Sequence, residues 1–307
     1  MKSTDTSKYT APVNQLLTYG KPDIEADEWQ DYLAVGLKQE HIPELIQMAT
    51  DDELMQIDEE RPEAWAPIHA LRALGQLRAE EAVKPLLSIF SRPDVVDEWF
   101  IEEIPESLGL IGPAALPILK NFIADETRDN EARYMAVPAI LKIANKWPET
   151  RAEGIDILSK QLEKFTENDP ELNAFLIETL NEMHAVEAAP LMESAFEANV
   201  VDTMIAGTWD DAQLSLGLIT KEEYNQKALE ERAKIATALP SVPAKPAAKS
   251  APIHAHNLPY AHEHTHTHTH DEHAEERSIP ANRARVTANK KAKIKMAKKS
   301  RKQNRRR

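Results

Sequence analysis

Three groups of residues in this sequence have types and spacings that could do chemistry. The stretch HEHTHTHTHDEH holds His262, His264, His266, His268, His270 and His273 within twelve residues. In an extended chain the alternate imidazoles fall on one side about 6.6 Å apart, and a flexible chain can bring two to four onto one ion. Neutral imidazole suits Zn²⁺, Ni²⁺ or Cu²⁺. The tract is also of low complexity and brings no neighbouring groups to fix ligand geometry, so a merely solvated segment is its alternative reading.

The second group is cationic. Lys290, Lys291, Lys293, Lys295, Lys298, Lys299, Arg301, Lys302, Arg305, Arg306 and Arg307 belong to a run from Arg283 to Arg307 with 13 basic residues and no acid. Such a run can neutralise several phosphates of RNA, including ribosomal RNA, in a salt-dependent way. It has no aromatic residue to stack on bases, which argues against sequence readout. A solubilising end, or a tail docked on its own acidic body, is the other reading.

The third group pairs aromatic rings with charge. Trp65, His69 and Arg72 recur at i, i+4 and i+7, one stripe of a helix; Trp99 precedes Glu102 and Glu103, and Trp209 precedes Asp210. Exposed tryptophan beside carboxylates would suit a basic segment of another protein. Rings that seal gaps between helices are the alternative, because large aromatics are mostly buried.

Several chemistries have no residues to run on. Cysteine is absent, which removes disulfides, thiol nucleophiles and thiolate zinc sites and fits a reducing compartment. There is no GxGxxG or GxxxxGK[ST] loop, no HExxH, and no Ser-His-Asp set that can be pointed to. No apolar run reaches the length of a membrane span, and the N-terminus lacks a signal-peptide core, so a cytoplasmic, non-enzymatic protein is expected.

Charge and composition divide the chain. The run 283–307 leaves 24 of the 37 basic residues facing all 51 acidic ones, so the remainder carries −27. Residues 240–253, PSVPAKPAAKSAPI, read as a stiff solvated linker. The expected division is a disordered N-terminus (1–11), a folded body (12–238), a Pro/Ala linker (239–253), the His-rich tract (254–273) and a disordered basic tail (274–307).

Within the body, scarce glycine, abundant Ala, Leu and Glu and few aromatics suit helices. Ile68, Leu71, Leu74 and Leu77 form one apolar face, and a charged turn leads to Pro85-Leu86-Leu87. Leu108-Gly109 echoes Leu74-Gly75 after 34 residues, and Pro138-Ala139-Ile140-Leu141 follows Pro105-Glu106-Ser107-Leu108 after 33. Asp169-Pro170 opens a further unit as N-cap and first helical residue, and Ala188-Ala189-Pro190-Leu191 restarts its second helix. Residues 40–57 read as a degenerate cap, and Thr220-Lys221-Glu222-Glu223 as a capping box that starts a last helix. Each helix pair alone has too little core; stacking the pairs buries a continuous one.

The ALRALGQL face (70–77), the Ala82-to-Leu86 restart and its echoes at Pro117 and Pro190 resemble HEAT-like repeats of the short bacterial type found in phycobilisome lyases. The body from LLTYG (16–20) to AGTWDDAQLSLGL (206–218) is similar to an uncharacterised bacterial HEAT-like family. The resemblance implies an all-α α-solenoid of helical hairpins. Relatives sometimes end in a cysteine-rich zinc motif, which this chain lacks. Some HEAT-like proteins resemble di-iron hydroxylases, which need paired His-Glu steps on successive repeats; here the one His-Glu step is His262-Glu263, outside them. No residue marks a bilin pocket. The expected function is a protein-binding scaffold, with metal handling on the His tract or RNA association through the tail as alternatives.

Overall fold

The computed structural model describes residues 8–23, 29–94 and 96–238, and every regular element among them is helical. Two short helices, α1 (Ile42–Ala49) and α2 (Asp52–Met55), precede a hairpin of α3 (Ala66–Gln76) and α4 (Val83–Ile89). The next hairpin is α5 (Glu98–Ile111) with α6 (Leu116–Ala124). A third is built from α7 (Asn130–Ala136), α8 (Pro138–Lys146) and α9 (Arg151–Leu162), and a fourth from α10 (Pro170–Glu182) and α11 (Ala189–Glu197). The short helices α12 (Thr203–Ala206) and α13 (Trp209–Ser215) lead to α14 (Lys221–Ala238).

Local chemistry sets the helix ends. Asp169 accepts a hydrogen bond from the Glu171 amide at 2.9 Å, and Pro170 takes the first helical position, where no N–H is needed. Thr220 and Glu223 form the reciprocal box that starts α14. At the other end of α3, Arg78 turns left-handed (φ +53°) and the Ala79 amide reaches the Leu74 carbonyl at 3.1 Å. His184 does the same after α10 (φ +51°), with Ala185 bonded to Leu180 at 3.0 Å. These are the same turn 106 residues apart in sequence, LGQLRA and LNEMHA.

Proline acts differently at one repeat position. A proline removes an amide donor and crowds the carbonyl four residues back. The helix α5 runs through Pro105, whereas 33 residues later the chain restarts at Pro138, so α7 and α8 are separate helices.

The hairpins pack in chain order. In one layer α1 lies along α3, α3 along α5, α5 along α8, and α7 and α8 against α10; in the other, α4 meets α6, α6 meets α9, and α9 meets α11. From α3 onward the register within the first layer is parallel. Arg72 meets Glu103 and Gly75 meets Ser107; Asn130 meets Asp169, and the Tyr134 and Phe175 rings stack at 4.6 Å. The helices α3, α5, α7 and α10 therefore start from the same edge of the stack, whereas α1 runs the opposite way, with Gln39 before it donating to the Leu77 carbonyl after α3 at 2.8 Å. Fully buried Leu71, Leu74, Leu86, Leu87, Ile104, Leu108 and Leu119 lie between the layers, each worth about 2 kcal/mol of transfer free energy.

Two repeat glycines let neighbouring helices approach. A Cβ on Gly75 would sit 3.1 Å from the Ser107 Cα, and one on Gly109 would sit 2.9 Å from the Lys142 Cβ.

The packed body begins before residue 12. Tyr9 is 3% exposed, and its hydroxyl donates to Asp51 at 2.5 Å, so an aromatic anchor precedes the boundary drawn from composition. The linker, the His tract and the basic tail lie outside the described residues. Among the described residues no single helix is long and apolar enough to cross a membrane; α5 and the helical run after it are apolar, but the chain bends by 115° between them.

Candidate functional site

The helix stripe Trp65, His69 and Arg72, expected to face a partner, is covered by the chain's own N-terminal segment. All three side chains are buried, at 4%, 3% and 5% exposure. The Tyr32 hydroxyl lies 2.6 Å from Nδ1 of His69, and Nε2 of His69 lies 2.8 Å from the Gly20 carbonyl. Tyr19 packs edge-on against the same imidazole at 5.3 Å. One turn on, Gln76 accepts from the Tyr32 amide and donates to the Gln30 carbonyl, both at 2.9 Å. The long residues of this face thus grip a backbone that runs across them.

Arg72 and Glu103 join α3 to α5. Nε of Arg72 donates to Oε2 of Glu103 at 3.0 Å, and Nη2 donates to Oε1. The guanidinium carbon also lies over the Trp29 ring, 5.0 Å from its centre. Burial works against the Arg72 charge, but Glu103 outweighs it and holds the pKa above its ordinary value. Burial pushes Tyr32 up to about 12 and His69 down to about 4, so this polar cluster is neutral at the histidine.

The tryptophans of the first two hairpins meet. The Trp65 and Trp99 rings stand nearly perpendicular (77°) with centres 5.0 Å apart. Trp65 is fixed by its indole N–H, which donates to the Glu59 carbonyl at 3.0 Å. Trp99 sits in the first turn of α5, capped by Asp97. Glu102, beside it, is exposed, while Glu103 is turned inward to Arg72. At the far end of the body Trp209 is half-buried against Phe196 and donates to Glu193 at 3.1 Å, and Asp210 pairs with Lys227 at 2.7 Å.

A second feature was not anticipated from the sequence. The shared edge where the first-layer helices begin gathers their capping acids. Asp97 caps α5, Asp169 caps α10 and Asp202 caps α12. Between α7, α10 and α12 lies a cleft of about 470 Å³, lined by Asn130, Glu131, Tyr134, Asp169, Glu171 and Asp202. Each cap is legible on its own as an acid before a helix; their alignment depends on the parallel register of distant segments. Among the described residues no three or more His, Asp or Glu converge as metal ligands, so this acidity is spread along an edge. Spread negative charge with a tyrosine ring suits an extended cationic chain.

The six histidines of residues 262–273 and the cations of residues 290–307 lie outside the described residues, and their candidate roles rest on the sequence.

Comparison with known proteins adds a family. The family model described as "Protein of unknown function (DUF1186)" matches residues 30–234. No curated protein and no solved structure matches the chain. The matched span runs from the segment over α3 into the last turns of α14 and takes in both the tryptophan pair and the acidic cleft, well over half of the chain, and on that ground the chain belongs to the DUF1186 family.

Proposed function

We propose that this protein is a non-enzymatic binding scaffold, a HEAT-like stack whose acidic edge receives a basic segment of another protein. The observation that carries this reading is the 470 Å³ cleft to which the starts of α7, α10 and α12 contribute carboxylates. A surface assembled from several repeats binds an extended ligand better than a small molecule, because each repeat adds one subsite along a line. The charge of −27 on residues 1–282 would speed the encounter with a cationic partner. The basic run 283–307 supplies a second, electrostatic contact.

The test is a binding scan of the full chain against peptides of equal length that are lysine-rich, neutral or glutamate-rich. Lysine-rich peptides should bind, weaken steeply with salt, and bind less well to the Glu131→Gln/Glu171→Gln variant. Binding that ignores peptide charge would overturn the reading.

A further inference from the structure

We infer that the Trp65–Trp99 notch is a receptor for a lysine ammonium group, filled in this chain by its own Lys21. The inference rests on the scaffold reading and names the chemistry of one subsite at the same edge.

The geometry is that of an occupied ammonium site. The Nζ of Lys21 lies 5.4 Å from the Trp65 ring centre and 5.5 Å from that of Trp99, so it is shared almost equally by the two rings. Both distances fall within the range where the ring quadrupole attracts a cation. The Lys21 residue is exposed and forms no ion pair among the described residues; the two indole rings are what its charge addresses. Both rings are held independently of it, Trp65 by Glu59 and Trp99 by the capped first turn of α5, so the notch is built before the cation arrives.

The ligand class follows from shape. Two faces at 77° enclose a compact point charge. A guanidinium, being planar and delocalised, stacks best on a single ring face. Beside the notch runs a cleft of about 70 Å³ lined by Met55, Ile57, Glu59, Trp65, Asp97 and Trp99. Its thioether and aliphatic walls match a lysine stem, and its carboxylates favour a positive head.

Lys21 then acts as a stand-in ligand. A single exposed contact of this kind is weak, so a lysine of the partner can displace it, at the cost of the fraction of time the notch is filled in cis. Removing Lys21 should empty the notch without disturbing the rings.

The experiment uses the full chain and n-butylammonium, the lysine side chain without its backbone, followed by tryptophan fluorescence. Lys21→Ala should bind the probe about fivefold more tightly than the parent chain, the gain expected on removing one such competitor. Trp99→Leu in the Lys21→Ala background, checked for retained helicity by circular dichroism, should abolish saturable binding. Equal affinity in parent and Lys21→Ala, or binding that survives Trp99→Leu, overturns the inference. A notch that only anchors the N-terminal segment would show altered stability in Lys21→Ala and no saturable probe binding, which also overturns it. If lysine-rich peptides bind and respond to Glu131→Gln/Glu171→Gln while these variants do not behave as stated, the subsite fails and the scaffold reading stands. If no peptide discriminates by charge, the scaffold reading fails first.

Discussion

Tyr32 and His69, 37 residues apart in sequence, share a buried hydrogen bond of 2.6 Å between the phenol and the imidazole Nδ1. With Nε2 facing the Gly20 carbonyl, the neutral ring donates there and accepts from Tyr32. Protonation would leave Nδ1 with a proton aimed at a hydroxyl that has to turn round. The neutral ring satisfies both bonds to the N-terminal segment as they stand, and a charge on His69 would also have to be buried there.

A pH dependence follows. Burial holds His69 at about 4 in the folded chain, below the ordinary value near 6.5. The unfolded state binds the proton first, so this contribution is complete above pH 6.5 and declines as the pH falls towards 4, by up to about 3 kcal/mol. Urea unfolding of the parent chain at pH 7 and pH 4.5 should show that decline, and His69→Gln should flatten it. An equal slope in both proteins would mean that other groups carry the acid sensitivity.

The Arg72–Glu103 pair makes a different prediction, because both partners are charged and buried. Removing one leaves the other unpaired in a dry place. Glu103→Gln should lower stability by about 3–5 kcal/mol. Arg72→Met with Glu103→Leu should cost less than Glu103→Gln alone, although Arg72 also covers Trp29 and the recovery will be incomplete. Denaturant midpoints of Arg72→Met, Glu103→Leu and the double variant measure the coupling; additive losses would show that the pair is not a unit.

What the sequence displays here is what is encoded locally. The Asp169-Pro170 start and the Thr220–Glu223 box depend on residues within a few positions, and the echo of Leu74-Gly75 at Leu108-Gly109 is visible as a fixed spacing; all stand in the structure. The covering of α3 does not. Residues 19–32 have no apolar period, and their bonds to His69 and Gln76 span 37 to 49 positions. The stripe Trp65-His69-Arg72 reads correctly as a second face of α3, but a second face is equally ready for a partner or for the chain itself. The acidic cleft was hidden for a related reason: Glu131, Asp169 and Asp202 are neighbours only because successive helices run parallel.

Close helix approach gives a third prediction. Alanine is the better helix former by about 1 kcal/mol. At Gly109, however, the added methyl meets the Lys142 Cβ at 2.9 Å and its carbonyl carbon at 3.1 Å, and neither is the movable end of a side chain. Gly109→Ala should therefore be destabilising by about 1–3 kcal/mol despite its propensity. Gly75→Ala, whose nearest atom is 3.1 Å away, should be milder. Thermal midpoints of the two variants test the order; a stabilised Gly109→Ala would mean that α5 and α8 lie farther apart than found.

The left-handed residues that end α3 and α10 allow a matched comparison. A side chain at φ near +50° carries a steric cost that glycine avoids, offset in part by the freedom glycine has when unfolded. His184 is exposed, so His184→Gly should raise stability by about 0.5–1 kcal/mol. Arg78 occupies the same turn, but its guanidinium lies 4.8 Å from the Trp147 ring centre, a contact worth a similar amount. Arg78→Gly should therefore change stability little, because the relief at the backbone and the loss over the indole oppose each other. Measuring both variants in the Trp147→Leu background separates the two effects: Arg78→Gly should there become stabilising, while His184→Gly keeps its original gain. A lasting difference between the two positions in that background would show that the two turns are not equivalent.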